Sequence, residues 1–454
     1  MDQADLAYLS AVDLLNLLRE KQVSSRELLD VYLGRVDKFN PDLNAVVTLD
    51  AERASERAAA ADEATAHGES WGLLHGLPMT VKDVFETSGL RTTAGSPKLS
   101  EYVPDRDAVI VRRLKAAGAV IFGKTNTPTM AGDGQTYNDV FGTTNNPWDI
   151  SRTPGGSSGG CGAAVAAAMT SFSIGSDIAG SVRIPSAFCG ALGHKPTFGV
   201  VPQRGHIPGQ PGSLIERDIN TIGPLARDPH DLDLALSVMA GPITQEALDW
   251  RFELPPAPRK SLAEYRVAAW LDDHFCPVDA ALGTKLQDAV NSLRDAGVTV
   301  DEDGRPGFEL EESHGVYQPL LRTAFNADLT YQRWLELDHL RQRLRDLWAD
   351  FFTRYDILLA PVASMTPFPH MQGPWPERRL TVNGQERPYG DFIVWPGLIS
   401  VSYLPSTAVP VGVTDEGLPV GIQVVGPHLS DRRTIDFAGK LSALIGGFRR
   451  PPGY

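Results

Sequence analysis

The chain has 454 residues, enough to bury a large core, and its 42% apolar and 22% charged content is ordinary for a soluble globular protein. Its 42 basic against 56 acidic residues give a net charge of −14, which argues against a nucleic-acid surface. Three scattered cysteines, Cys161, Cys189 and Cys276, do not make a disulfide framework, so a reducing compartment, the cytoplasm, is the expected location.

In chain order, the acidic start Met1-Asp-Gln-Ala-Asp lacks the basic-then-apolar order of a signal peptide. Ser10 caps a helix over Ala11–Lys21, and Ser24 with Glu27 forms a capping box that opens a second helix running to about Asp37. The Ala- and Glu-rich run Ala51–Ala66 reads as a third helix. Leu77–Asp83 reads as a short buried strand ending in Lys82 and Asp83, an unusual place for an ammonium unless it is neutral, paired or reaching solvent. A helix over Asp107–Ala117 and a strand over Ala119–Gly123 follow, and this strand–helix alternation predicts an α/β layered protein. Further on the pattern predicts helices over Asp228–Ala240, Ala280–Ala296, Leu329–Tyr355 and Asp431–Leu444. Strands are expected over Tyr265–Trp270, Val298–Val300, Asp356–Ala360 and Gly417–Gly426. In the long helix, Trp334, Leu337, Leu340, Leu344 and Trp348 fall on one side. Pro255–Pro258 is the best linker candidate, and one domain spans 1–454. Its parts are N-terminal helices (1–70), a core (71–225), a looser, inserted, cap-like portion (226–355) and a C-terminal part of the core (356–454). Two long uncharged stretches, Thr153–Ser176 and Phe392–Thr414, are broken by Gly, Pro or Ser and do not read as membrane helices.

The densest chemical signal is Pro154–Pro196. Five of the eight residues from Gly155 to Gly162 are glycine, a density that marks positive φ or close backbone approach. Gly155-x-Ser157-x-Gly159 formally matches a nucleophile elbow, but a loop rather than an apolar strand precedes it. A phosphate-cradling loop opening a helix over Gly162–Met169 would need a lysine after the last glycine, where Cys161-Gly162 stands. Neither the ten histidines nor the cysteines show metal-ligand spacing, so no metal and no cofactor is expected.

A third reading accounts for more residues together. Gly76-Leu-Pro-Met-Thr-Val-Lys-Asp83, Gly123-Lys-Thr-Asn126, Pro154-Gly-Gly-Ser-Ser-Gly-Gly160, Gly175-Ser-Asp-Ile-Ala-Gly-Ser-Val-Arg-Ile-Pro185, Phe188-Cys-Gly190, Lys195-Pro-Thr197 and Gly417-Leu-Pro-Val-Gly421 resemble, in order, the motifs of the amidase signature family of serine hydrolases. The resemblance implies a large mixed β-sheet core covered by helices on both faces, and cleavage of amide C–N bonds through an acyl-enzyme. It implies Ser181 as nucleophile, Ser157 as a bridging serine on a cis Gly156–Ser157 bond, and Lys82 as base. The 24-residue gap between the two serines fits the family. A serine needs a proton acceptor, and a lysine accepts only when burial lowers its pKa. The amides of Ile178, Ala179, Gly180 and Ser181 are the implied oxyanion donors, Ala179 standing where the family often has Gly. Asp177, Arg183 and Ser158 are implied to organise the loops rather than to react.

Departures bear on substrate. The amidotransferase branch usually carries Asp-Glu-Phe-Ala after Gly123–Asn126, where this chain has Thr127-Pro-Thr-Met-Ala-Gly132. His194, in place of a frequent Leu, is expected to be a packed histidine. Met130, Gly132, Tyr137, Phe141, Trp395 and the loop Met365–His370 are candidate pocket residues for an apolar acyl or aryl group. The expected partner is a small-molecule amide, anilide or carbamate, without nucleic acid or membrane. The alternatives are one component of a glutamine-dependent amidotransferase, and a non-enzymatic module on the same fold, the latter disfavoured by the intact triad.

Overall fold

The computed structural model describes residues 2–208, 210–243, 248–258, 260–325 and 328–454. Eleven of the described strands join in one sheet: β1 (Val46–Leu49), β2 (Pro78–Lys82), β3 (Val120–Thr125), β4 (Ser173–Asp177), β5 (Leu192–Lys195), β6 (Thr221–Ala226), β7 (Arg266–Ala269), β8 (Thr299–Asp301), β9 (Ile357–Pro361), β10 (Ser406–Val413) and β11 (Pro419–Val425). Their order across the sheet is β1-β3-β2-β4-β6-β5-β10-β11-β9-β7-β8. The sheet is mixed: β3, β2 and β4 run parallel, as do β9, β7 and β8, whereas β4 to β6, β6 to β5, β5 to β10, β10 to β11 and β11 to β9 pair antiparallel. Every residue of β2, β4 and β11 is buried, as expected of central strands covered on both faces.

The helices are α1 (Gln3–Tyr8), α2 (Ala11–Arg19), α3 (Ser25–Leu43), α4 (Ala51–Ala66), α5 (Val109–Ala116), α6 (Gly159–Ala166), α7 (Arg183–Cys189), α8 (Pro229–Met239), α9 (Ala280–Asp295), α10 (Leu310–Ala324), α11 (Tyr331–Arg354), α12 (Val394–Ser400) and α13 (Asp431–Ile445). Alternation along β10 shows how they cover both faces. Thr407 turns to Thr434 of α13, 2.9 Å away, while Ser406 turns to Gln423, whose Oε1 also accepts from Arg183 of α7.

The predicted capping box at Ser24 and Glu27 is present, and α3 continues past Asp37 to Leu43. In α11, Leu340 is exposed and Arg341 is buried instead. Its guanidinium bonds Asp218 and Asp338 and lies 4.5 Å from the Tyr403 ring centroid, so an ion pair occupies the inner face between Leu337 and Leu344, while Leu340 falls at the edge of that face. The helix predicted over Gly162–Met169 begins three residues earlier, at Gly159, and ends at Ala166. Residues 226–355 divide between two places: β7 and β8 extend the sheet edge, while Tyr317 of α10 reaches the loop after β4 and donates to Ile178 O at 3.3 Å.

Arg35 of α3 fixes the far end of α6, with Nε 2.9 Å from Ala168 O and Nη2 2.8 Å from Ala167 O. These carbonyls have no partner within the helix, and the guanidinium supplies it. Arg35→Met is expected to lower the unfolding free energy by about 2–3 kcal/mol, read by chemical denaturation, without altering the sheet.

Candidate active site

Lys82 closes β2 with no solvent exposure, so it does not reach out to water. Its Nζ lies 2.7 Å from Ser157 Oγ and 3.2 Å from Ser176 Oγ. Burial pushes its pKa down to about 7, with Cys161 and Asp177 pulling weakly the other way. The adjacent Asp83 gives Lys82 no counter-charge. It accepts from Thr93 N and Oγ1 and sits 4.0 Å from Lys124. Two other buried lysines are also depressed, Lys124 to about 8 and Lys195 to about 7, both chiefly by burial. Lys124 bonds Phe85 O, Thr87 and Thr92, and Lys195 bonds Pro196 O. Of the three, Lys82 alone meets serines, so geometry rather than pKa singles it out.

Ser157 lies in the loop between Pro154 and α6, and the Gly156–Ser157 peptide bond is cis. The glycines here serve close approach. A Cβ on Gly156 would lie 2.8 Å from Gln135 N and O, and one on Gly160 would lie 2.4 Å from Asn126 N. The start of α6 is thus pressed against neighbouring backbone.

Strand β4 delivers the second serine. It ends at Asp177, whose buried carboxylate accepts from the N–H groups of Gly180 (2.8 Å), Val182 (3.1 Å) and Arg183 (3.3 Å). The same carboxylate takes Arg183 Nε and Nη2 at 3.0 and 2.9 Å. Burial alone would raise its pKa, but Arg183, Lys195 and the Val182 N–H outweigh that and hold it at about 2. Arg183 also donates to Pro396 O, Ser400 Oγ and Gln423 Oε1, all on C-terminal elements. The loop 178–182 is thereby folded around a buried ion pair. Ser158 ties it to the first serine loop, its N–H 3.1 Å from Ser181 O and its Oγ donating to Ser176 O. Ala179 is not among the residues with positive φ, whereas Gly180 takes φ +93° with Ile184 and Pro396 against its α-carbon. The Gly180 N–H is committed to Asp177, whereas the N–H groups of Ile178, Ala179 and Ser181 have no acceptor among the described residues.

Ser181 stands between two cavities. The smaller, about 140 Å³, also touches Ser157, Ser176, Met130, His206, Arg217 and Asn220. The larger, about 470 Å³, touches Gly132, Leu321, Phe325, Trp375, Phe392 and Ile393. Of the predicted pocket residues, Met130 and Gly132 line these cavities. Tyr137 does not; its hydroxyl is bonded by Asp133 and Arg378. Trp395 is core, fully buried, with its indole N–H on Cys276 O at 3.1 Å and its ring edge-on to Trp270. Phe141 lies beneath Arg91, and Met365 and Phe368 are buried in the main core. His194 is packed, its nitrogens meeting Thr407 Oγ1 and Asp431 Oδ1.

Sequence reasoning missed Ser176, His206, Arg217 and Asn220 and the apolar wall from α10 and the segment before α12. Ser176 was inside a recognised motif, and its polar strand carries no hydrophobic signal.

The amidase family model matches residues 27–321 and 309–435. The chain belongs to the amidase family. It is 32% identical to an acylamidase of Rhodococcus erythropolis over 98% of this chain and 97% of that one. It is also 30% identical to a glutamyl-tRNA(Gln) amidotransferase component from Moorella thermoacetica, covering 99% of each. A solved amidase structure superposes with a TM-score of 0.79 at 27% identity, covering 96% of this chain and all of the other. The mixed sheet is that of the amidase signature fold, and the family assignment makes the chain an amidase-signature hydrolase. No described helix is long and apolar enough to cross a membrane.

Asp177→Asn removes the charge opposite Arg183 while keeping the shape of the side chain. A broken buried pair costs about 3–5 kcal/mol, and a matching fall in unfolding free energy at neutral pH is expected. Because the native carboxyl is depressed, its contribution is present above the unfolded carboxyl pKa and fades as pH falls toward about 2. The difference between wild type and variant therefore shrinks in acid, which denaturation at two pH values measures.

Proposed function

We propose that this amidase hydrolyses amides bearing an apolar acyl or aryl group, with Ser181 as nucleophile, Ser157 as proton relay and Lys82 as base. One observation carries the reading: a fully buried lysine 2.7 Å from a serine that shares a cavity wall with Ser181. With its amine neutral, Lys82 accepts the Ser157 proton as Ser157 takes that of Ser181. The Ser181 oxygen then adds to the carbonyl carbon, and the negative oxygen forms against the amides of Ile178, Ala179 and Ser181. Each such donor is worth about 3 kcal/mol in the transition state. Ser157 returns the proton to the departing nitrogen, leaving an acyl ester on Ser181 that water cleaves by the same relay.

Sidedness follows from the relay. Ser157 borders the small cavity, so the departing amine belongs there, and the acyl group belongs in the large cavity against Leu321, Phe325, Phe392 and Ile393. Anilides and carbamates present the same carbonyl to the same groups, and we extend the proposal to both. The amidotransferase relatives favour a second reading, glutamine as acyl donor, for which Asp133 and Arg322 border the large cavity. Asp133 is already paired with Arg378 at 2.7 Å, which supports the apolar reading instead. We place the enzyme in the cytoplasm as one domain over 1–454, in keeping with its three free thiols.

Turnover of a p-nitroanilide, an aryl carbamate and an ester is expected, with little of glutamine; glutamine as the sole substrate would establish the second reading. Ser181→Ala is expected to lower kcat/KM by about 10⁴-fold or more and to abolish labelling by a fluorophosphonate probe. Labelling that persists at Ser157 would overturn the assignment. As the base works only when neutral and its pKa is about 7, kcat/KM should climb through neutral pH and level off above it. A profile falling over that range would contradict a lysine base.

A further inference from the structure

The small cavity has a charge character that hydrolysis of a simple amide does not require. Among the described residues no acidic side chain lines it, yet Arg217 does. Arg217 Nη1 is held by Ala324 O, and among the described residues the guanidinium has no carboxylate partner. The neighbouring carboxylate, Asp218, is taken by Arg341 at 2.7 Å. His206, which also lines the cavity, is only 6% exposed, and neither ring nitrogen has a hydrogen-bond partner among the described residues. Burial keeps its imidazole neutral, with Lys82 and Arg217 reinforcing this, so it offers one N–H donor rather than a second cation. Buried polar groups without partners are rare in folded proteins, and one that faces a cavity beside the nucleophile fits a group that arrives with the substrate.

We propose that this cavity is a subsite for a carboxylate on the departing amine, with Arg217 as the specificity-determining residue, so that the preferred substrates are N-acyl derivatives of a small amino acid. The inference rests on the hydrolase reading above and on the sidedness set by Ser157. A guanidinium without a counter-ion pairs well with a carboxylate, and the His206 N–H supplies a further donor. The cavity, about 140 Å³, suits an amine of the size of glycine or alanine, and the larger one suits acyl bulk. The amide C–N bond breaks as the Ser181 ester forms, and the Ser181 proton reaches the nitrogen through Ser157. The free amino acid departs, and water then cleaves the ester to the apolar carboxylic acid.

The test compares N-phenylacetylglycine with its neutral isostere N-(2-methylpropyl)-2-phenylacetamide on the intact chain. The wild type should favour the glycine conjugate by about tenfold or more in kcat/KM. Arg217→Met should lower kcat/KM for the glycine conjugate about tenfold more than for the neutral amide, and Arg217→Lys should restore part of that difference. A wild-type ratio near one overturns the inference whatever the variants do, and so does an equal loss on both substrates in Arg217→Met. Hydrolysis of the neutral amide without preference for the carboxylate leaves the hydrolase reading standing and removes only this one. Turnover of neither compound, by folded protein, overturns both.

Discussion

An ammonium removed from water and given no counter-charge is the constraint on which the site depends. Lys82 loses its hydration at the end of a strand buried on both faces, and the loss brings its pKa close to neutrality. That balance survives only because nearby carboxylates are engaged elsewhere. Asp83 belongs to Thr93 and Lys124, and Asp177 belongs to Arg183. An unpaired carboxylate at either place would hold the lysine charged, and a charged lysine takes no proton. The ion pair under the second serine loop therefore acts at a distance on the lysine as well as locally on the loop.

The same pair determines the loop's shape. One carboxylate collects three backbone N–H groups and a guanidinium, which folds residues 178–182 around it. The Gly180 amide is one of the three. Counting amides by their place in the chain includes it, but hydrogen bonding assigns it to Asp177. The loop thus spends some of its N–H groups on the carboxylate and leaves those of Ile178, Ala179 and Ser181 without an acceptor among the described residues.

Much of this was legible in the sequence, and the failures have physical reasons. Capped amphipathic helices such as α2, α3 and α9 announce themselves because one face must be apolar and the ends must be satisfied. The strand β4, Ser-Ile-Gly-Ser-Asp, announces nothing, since polar and small residues at the sheet centre are satisfied by each other, as Thr80 and Ser173 are at 3.0 Å. Motif order located Lys82, Ser157, Ser181 and Asp177, because these residues lie in contiguous runs. The cavity walls did not follow, because Arg217, Phe325 and Phe392 come from separate elements brought together only by tertiary packing. Trp395 illustrates the reverse error: a large aromatic near a site is more often a core residue, and this one packs against Trp270.

The way Arg183 is held has a consequence for how the chain comes into being. Its partners beyond Asp177 are Pro396, Ser400 and Gln423, on α12 and β11, more than 200 residues further along. During synthesis, Lys82, Ser157 and Ser181 leave the ribosome well before those partners exist. Until they arrive the guanidinium has no dry place to go, and the loop it shapes has no reason to hold. The loop around Asp177 therefore takes its final shape only after α12 and β11 have been made.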